Sequence, residues 1–461
     1  MSDFLFSEFN EVSAKEWKQK IQVDLKGADY NETLIWKNLE GIDVKPFYHQ
    51  DDFKNTPSEV QAHPSSWNIA QNIFIDEEAI ANHLIVNAIE RGAEAIVITA
   101  EKEFSFERVF ENFPFESSII YFNLKFLSEE FYTNLSHFFL DKNTSVFYNI
   151  DIIGNLARTG NWFHNLKQDH KILKSILQNT NNKNIISVDG ALYQDAGANM
   201  VQQIAYCLAH ANEYLNYFTS KDNSELNKEK LTITFNLSIG TNYFFEIAKI
   251  RCLRKLYVLL ANEYNIDTDC HIITTPTKRN KTLYDYNVNL LRTTTENMSS
   301  VLGGANTVCS LAYDSIYHKS NEFGERIARN QMLILKEESY FKASDNPSEG
   351  SYYIESLTQQ LSEKALQLFK NLEASGGFLK QLKGGILQRK IKESAEKEQH
   401  LFDSGELVLL GTNIHTNEND KMKDDLELYP FSKIKTRKTL LAPIIEKRLA
   451  EKMETKRINQ E

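Results

Sequence analysis

WNIAQNIFIDEEAIANHLIVNAIERGAEAIVIT, residues 67–99, contains one full structural unit. It opens with a β-rich run, WNIAQNIFI (67–75), and closes with another, EAIVIT (94–99). Between them EEAIANHLIVNAIERG (77–92) places Ile80, Leu84, Ala88 and Ile89 near the i, i+4, i+8 repeat of an amphipathic helix, with Gly92 as a stop. The strand–helix–strand rhythm then recurs. Further short runs rich in Ile, Val, Phe and Thr occupy 117–124, 145–151, 184–190, 231–237, 269–274 and 306–310. Helix-compatible stretches such as NMVQQIAYCLAHANEYLNYF, YFFEIAKIRCLRKLYVLLANEY and NVNLLRTTTENMSSVL lie between most of them. Eight alternations without a hairpin dipeptide predict parallel strands, and eight such units can close into an α/β (β/α)8 TIM barrel over residues 67–398. Alternation alone leaves an open doubly wound sheet as the rival; the count of eight favours the barrel.

Two flanks fall outside this rhythm. Residues 1–66 hold one helical pattern, SAKEWKQKIQVDLKG, in which Ser13 and Glu16 have capping-box spacing. They also hold Phe4, Phe6, Phe9, Trp17, Trp36, Phe47 and Tyr48. That is many aromatics for a segment too short for a robust core, so an N-terminal interaction arm is expected. Residues 399–461 begin as a polar run suited to a surface linker and end in a charged helix, PIIEKRLAEKMETKRINQE.

The chain has 461 residues, 41% hydrophobic and 25% charged, with a formal net charge of −11. This balance argues against nucleic-acid or anionic-membrane surfaces, which need clustered Lys and Arg. Its four cysteines, Cys207, Cys252, Cys270 and Cys309, are widely spaced and form no C-x-x-C pair, which speaks against zinc and redox motifs. No secretory signal or membrane span is evident, and a cytoplasmic location is expected.

Barrel enzymes place their chemistry where strands end. Those ends here are Asp76-Glu77-Glu78, Asp189 to Gln194, and Thr274 to Asn280. Three stretches of the second half carry a resemblance: DGALYQDAGANMVQQIAYCLAHANEYL (189–215), SIGTNYFFEIAKIRCLRKL (238–256), and the block LRTTTENMSSVLGGANTV, ERIARNQMLILKEESY and PSEGSYYIESL within 291–357. Together they resemble the methylmalonyl-CoA mutases, adenosylcobalamin-dependent isomerases built from a barrel and a separate cobalamin domain. That domain carries an Asp-x-His-x-x-Gly loop, which this sequence lacks. The resemblance therefore implies the small subunit of a heterodimer rather than a complete enzyme.

The comparison sharpens at the strand ends. Large subunits have a Tyr- and Arg-rich stretch at strand one; HPSSWNIAQN (63–72) has neither residue. Their Tyr-His-Met-Gln-Glu-Ala-Gly-Ala becomes Ala191-Leu192-Tyr193-Gln194-Asp195-Ala196-Gly197-Ala198, keeping Gln but losing His. Their strand-seven His, which bonds the thioester carbonyl, aligns with Ile273. His271 lies two residues earlier, roughly 6–7 Å away along a strand. Their Gly-Gly-Thr-Gln-Ser-Leu becomes Gly303-Gly304-Ala305-Asn306-Thr307-Val308.

Residue by residue, the resemblance carries cofactor contacts onto Gln194, Asn306 and Glu337, and implies no catalytic residue and no metal ligand. Plainer readings stand beside these. Gln194 can bond a loop, Glu337 and Glu338 can pair with Lys or Arg, and His271 can be a core or rim residue. Gly303-Gly304 can be a turn, and the basic loop Lys278-Arg279-Asn280-Lys281 a solvated rim. The implied function is a non-catalytic small subunit, with adenosylcobalamin and acyl-CoA bound mainly by a large-subunit partner. Two alternatives remain: a divergent mutase barrel that is itself catalytic with a separate cobalamin protein, and an unrelated barrel enzyme using Asp76, Asp189 and His271. One further expectation concerns the axis. Tyr121, Phe122, Phe147, Tyr148 and Ile273 guarantee that some bulky side chains point inward whichever parity does, so no through-channel is expected.

Overall fold

The computed structural model describes residues 8–53, 60, 63–223, 226, 231–267, 269–343, 345–432 and 437–461. Eight parallel strands form one sheet: β1 (Asn68–Ile75), β2 (Ala95–Ala100), β3 (Ile119–Leu124), β4 (Ser145–Phe147), β5 (Ile186–Asp189), β6 (Ile233–Ile239), β7 (His271–Pro276) and β8 (Thr307–Cys309). Their order is β4-β3-β2-β1-β8-β7-β6-β5, so every strand lies beside its sequence neighbour. The two ends of that order meet. Ile150, just past β4, bridges in parallel to Ile186 of β5, with the Ile150 amide donating to Ile185 O at 2.8 Å and the Ser187 amide to Ile150 O at 3.1 Å. The barrel is closed, which excludes the open-sheet rival.

Side-chain parity divides the strands cleanly. Ile96, Ile98, Ile120, Phe122, Val146, Tyr148, Val188, Phe235 and Ile272 point outward into the layer beneath the helices. Ala70, Ala95, Tyr121, Phe147, Ile273 and Cys309 point inward and touch one another. Alternation with period two makes this division obligatory once one residue is fixed. The small side chains on β1 and β2 leave room for the two large rings from β3 and β4. Tyr121 stacks on Phe147 with centroids 4.6 Å apart, and Phe147 lies 4.3 Å from the His271 ring. The Tyr121 hydroxyl is 2.8 Å from His271 Nε2 and 2.7 Å from Thr307 Oγ1. The lower half of the barrel is therefore packed core, and among the described residues the axis is filled at this level, with no room for a pantetheine arm.

The helices cover the outside. Glu78–Glu90 buries Ala81, Ile85 and Ala88, while Ile80 is 56% exposed. Of the residues read as its apolar face, Ala88 is buried and Leu84 and Ile89 pack against the core, so only Ile80 falls outside the stripe that meets the barrel. Met200–Phe218 and Tyr243–Tyr264 are buried on most sides, because Tyr352–Ala374 packs over both.

The C-terminal region departs from the linker expectation. A helix continues to Ser404, and the chain after it lies on the barrel, burying Leu409, Met422, Leu441, Ile444 and Leu449. Residues 440–449 run as an extended strap across the end where the strands finish. The Leu440 and Leu441 amides donate to Gly160 O, the Ile444 amide to Ala157 O, the Lys447 amide to Asp195 O and the Leu449 amide to Arg279 O. Gly160 has φ +78°, and a Cβ there would lie 2.5 Å from Leu441 O, so the strap needs glycine at this point. The terminal helix begins only at Glu451, because the preceding backbone is spent on these bonds.

His271 links this packing to pH. Burial, with the nearby Arg254 charge adding to it, pushes its imidazole down to about 3 from an ordinary 6.5. Between those values the unfolded chain binds a proton that the folded one refuses, so the fold gains stability as pH rises through the window and loses it on acidification. A His271→Gln variant retains a partner for Tyr121 and removes this titration. Urea unfolding between about pH 7 and about pH 4.5 should show a wild-type stability loss steeper by up to about 1.4 kcal/mol per pH unit than the variant's; equal slopes would contradict the assignment.

Candidate functional site

Where the strands end, a cavity of about 880 Å³ opens between barrel and strap. Its floor is apolar: Val97, Ile273 and Cys309 lie directly above the Tyr121–Phe147 stack. Its wall is made of the last inward positions of the strands and the residues just beyond them. These are mostly amides and hydroxyls, including Asn72, Asn123, Asn149, Asn236, Ser187 and Ser238. Parity is the cause, since each strand that turns an apolar residue outward near its end turns the next one into the mouth.

One guanidinium organises the charged side of the mouth. Arg158 closes the helix Ile152–Thr159, donates through Nη2 to Asp189 Oδ2 at 2.6 Å and through Nη1 to Glu446 Oε1 of the strap at 2.5 Å. Burial alone would weaken its charge; the two carboxylates more than offset that and hold it above its ordinary range. Asp195 stands beside this pair. Burial first, then the Glu446 charge, raise its carboxyl to about 6, against hydrogen bonds from Thr277 and Ser238 and the opposing charge of Arg158. Behind the mouth, Asp151 accepts from Gly154 N, the Tyr214 hydroxyl and the Asp189 amide, and lies 3.0 Å from His210 Nε2. Burial would raise this carboxyl, yet its imidazole, hydroxyl and amide partners hold it below the usual carboxylate range.

The three residues carried over as cofactor contacts sit apart from one another, and none lines the mouth. Gln194 is buried in a polar knot. Its Nε2 donates to Glu246 Oε1 at 3.0 Å, and Lys249 Nζ donates to its Oε1 at 2.8 Å. The same ammonium reaches Glu246 at 2.5 Å and Ser238 O at 2.8 Å. Asn306 precedes β8 at the opposite end of the barrel, where its Oδ1 accepts from Arg254 Nη2 and the Ile272 amide. Glu337 lies in a π-helical turn, Ile334–Glu338, exposed and paired with Lys342. All three are satisfied by protein partners.

Other expected groups also resolve. Ile273 occupies the mouth floor, at the position that aligns with the large-subunit histidine, while His271 opens β7 at the far end. The basic loop is not a solvated rim. Arg279, Asn280 and Lys281 are buried, with Lys281 2.7 Å from Glu296 Oε2 and Arg279 2.6 Å from Glu398; only Lys278 is exposed. Loop basicity misled because the strap covers it. Gly304 does adopt the left-handed turn, with φ +90°. Asp76 lines a separate small surface depression with Glu77, Glu78 and Arg108.

A histidine ligand for cobalt is equally out of place. The nearest approach to Asp-x-His-x-x-Gly is Asp269-Cys270-His271-Ile272-Ile273-Thr274, with Thr for Gly. Its imidazole is held inside the barrel by Tyr121. Among the described residues, no group of three or more His, Cys, Asp or Glu is arranged to hold a metal. Sequence reasoning missed Arg158, Asp195 and Glu446. The asparagines at inward strand-end positions were a visible signal, but Glu446 of the strap that completes the mouth lies 288 residues from Arg158 in sequence.

The fold and mouth define a closed (β/α)8 barrel whose strand-end positions hold ion pairs and amides. A family model described as methylmalonyl-CoA mutase matches residues 141–457, more than two thirds of the chain. The chain is 30% identical to the methylmalonyl-CoA mutase small subunit of Porphyromonas gingivalis, over 92% of this chain and 73% of that protein. It is 27% identical to the methylmalonyl-CoA mutase of Rhizobium meliloti, over 91% of this chain and 66% of that protein. To the methylmalonyl-CoA mutase large subunit of Streptomyces virginiae it is 28% identical, over 60% of this chain and 39% of that protein. The chain belongs to the methylmalonyl-CoA mutase family, a family of isomerases.

Two substitutions probe the site. Arg158→Ala should release the strap, speeding amide hydrogen exchange at Leu440, Leu441 and Ile444 and lowering stability by about 1–3 kcal/mol. Gln194→Ala leaves Lys249 and Glu246 short of a partner and should cost a similar amount in urea unfolding, about 1–3 kcal/mol. An unchanged midpoint would contradict the polar-knot reading of Gln194.

Proposed function

We propose that this chain is the small, non-catalytic subunit of a heterodimeric, adenosylcobalamin-dependent methylmalonyl-CoA mutase. Its large-subunit partner binds cofactor and acyl-CoA and interconverts (R)-methylmalonyl-CoA and succinyl-CoA by radical rearrangement, for which the cofactor supplies the radical chemistry. The observation that carries this reading is the barrel interior. Ile273 stands where a thioester-binding histidine is needed, above an axis filled by Tyr121 and Phe147. An apolar side chain cannot donate to a developing oxyanion, and losing one such donor commonly costs about 10²–10³ in rate. The residues of this chain do not fit cobalamin, so no step of the reaction is assigned to them.

The N-terminal arm is the proposed contact with the large subunit. Part of it docks on its own barrel: Trp36 meets Phe245 edge-on at 5.9 Å, and Tyr48 stacks on Tyr353 at 5.1 Å. The helix Ala14–Asp24 buries no residue. Trp17 (50%) and Val23 (71%) on this helix, and Phe9 (68%) ahead of it, are exposed apolar side chains that suit a protein partner. Phe4 and Phe6 lie outside the described residues. No helix among the described residues is long and apolar enough to cross a membrane, and a cytoplasmic location belongs to this proposal.

The reading is tested by reconstitution. The isolated chain given adenosylcobalamin and methylmalonyl-CoA should show no turnover and no change in the cobalamin spectrum, whereas mixing with the large subunit should give an active heterodimer. Removing residues 1–28 should weaken that association at least about tenfold and leave the circular dichroism of the barrel unchanged. Turnover by the isolated chain would overturn the assignment.

A further inference from the structure

The mouth cavity has features that a mere remnant of lost chemistry does not require. Ser187 is fully buried on β5 between the outward-facing Ile186 and Val188, at the inner edge of the cavity. Its hydroxyl has no hydrogen-bond partner among the described residues, and neither does the buried carbonyl oxygen of Asn149. Asn149 sits at φ +47°, in the left-handed region that asparagine tolerates. Asn236, paired in register with Ile273, completes this side of the wall. Burying unpaired polar groups costs free energy, so such groups facing a cavity mark a place where a ligand or water completes their bonding.

The chemistry of the wall selects a class. Amide and hydroxyl side chains each both donate and accept, which matches a ligand made of hydroxyls. The charged groups around them are largely engaged: Arg158 with Asp189 and Glu446, and Asp151 in hydrogen bonds with His210, Tyr214 and two backbone amides. Of the rest, the lining holds Lys125, Lys278 and Arg437 together with Glu101 and Asp195, so neither sign prevails. Beneath the polar wall the floor of Val97, Ile273 and Cys309 is apolar, suited to the C–H face of a ring. The volume, about 880 Å³, is ample for one small molecule. Asn123 and Lys125 are exposed, so the cavity opens to solvent on that side. The filled axis blocks a pantetheine arm and limits the site to something that fits wholly within the mouth.

We propose that the barrel mouth is a binding site for an uncharged, hydroxyl-rich small molecule of monosaccharide or cyclitol size, seated on the Val97–Ile273–Cys309 floor and bonded by Ser187, Asn149 and Asn236. The site belongs to this chain alone and is independent of the subunit assignment.

The test uses the full chain without a partner. Saturation-transfer NMR with myo-inositol, D-ribose and D-glucose as probes should show at least one binding, with a dissociation constant on the order of millimolar for so small a ligand. Ser187→Val and Asn236→Leu each place apolar bulk in the wall and should weaken binding at least about tenfold, with circular dichroism confirming that both variants fold. Ser187→Ala, which removes only the hydroxyl, gives a smaller loss of the same sign and guards against misfolding of the bulkier variants. Absence of transfer for all three probes, unchanged transfer in every variant, or equally strong binding of butyrate would overturn the proposal.

Discussion

The stack of Tyr121 on Phe147, closed by His271 and Thr307, is the constraint on which the barrel depends. A (β/α)8 barrel has to fill its own interior, and eight strands leave space for side chains and little else. Here two aromatic rings from neighbouring strands occupy that space, with Ala70, Ala95 and Cys309 opposite them. Packing at interior density tolerates neither a missing ring nor an added one. The stack therefore fixes the inward parity of β3 and β4, and strand register carries that choice to the rest. Its polar edge is satisfied as well, since the Tyr121 hydroxyl meets a neutral imidazole and a threonine.

The same packing decides what happens above it. With the axis closed, the mouth becomes a basin with a floor rather than one end of a tunnel. The strap then finishes the basin, held by Arg158 between Asp189 of the barrel and Glu446 of the strap and by backbone bonds to Gly160 and Ala157. Polar and charged groups near the strand ends are put to structural use here. Gln194 is tied to Lys249 and Glu246, and the basic loop residues Arg279 and Lys281 neutralise Glu398 and Glu296. Buried charge of this kind persists only when paired, which accounts for how completely these side chains are engaged.

Much of the architecture was legible in the linear pattern. All eight β-rich runs overlap an observed strand, and the capping box at Ser13 and Glu16 is present with both of its bonds. Local chemistry sets those features, so a short window suffices to read them. The helix after β1 was legible as a helix, and Leu84, Ala88 and Ile89 do face the core; only the edge of the stripe was misplaced, since Ala81 rather than Ile80 is buried. The C-terminal region was misread. A polar, loop-like composition does not reveal that Leu441, Ile444 and Leu449 will find the barrel's rim.

By itself the sequence determined the number of strands, their parallel alternation with helices, and an apolar residue, Ile273, near the end of the seventh strand. Those follow from periodicity, turn residues and residue identity at fixed spacing. Only the tertiary structure decided that Tyr121 rather than Phe122 enters the axis, that Asn306 and Gln194 stand at opposite ends of the barrel, and that Arg158, Asp195 and Glu446 share one mouth. Each of these is a contact between segments distant in sequence, and the chain fixes such contacts only once the barrel has closed and its interior volume has to be filled.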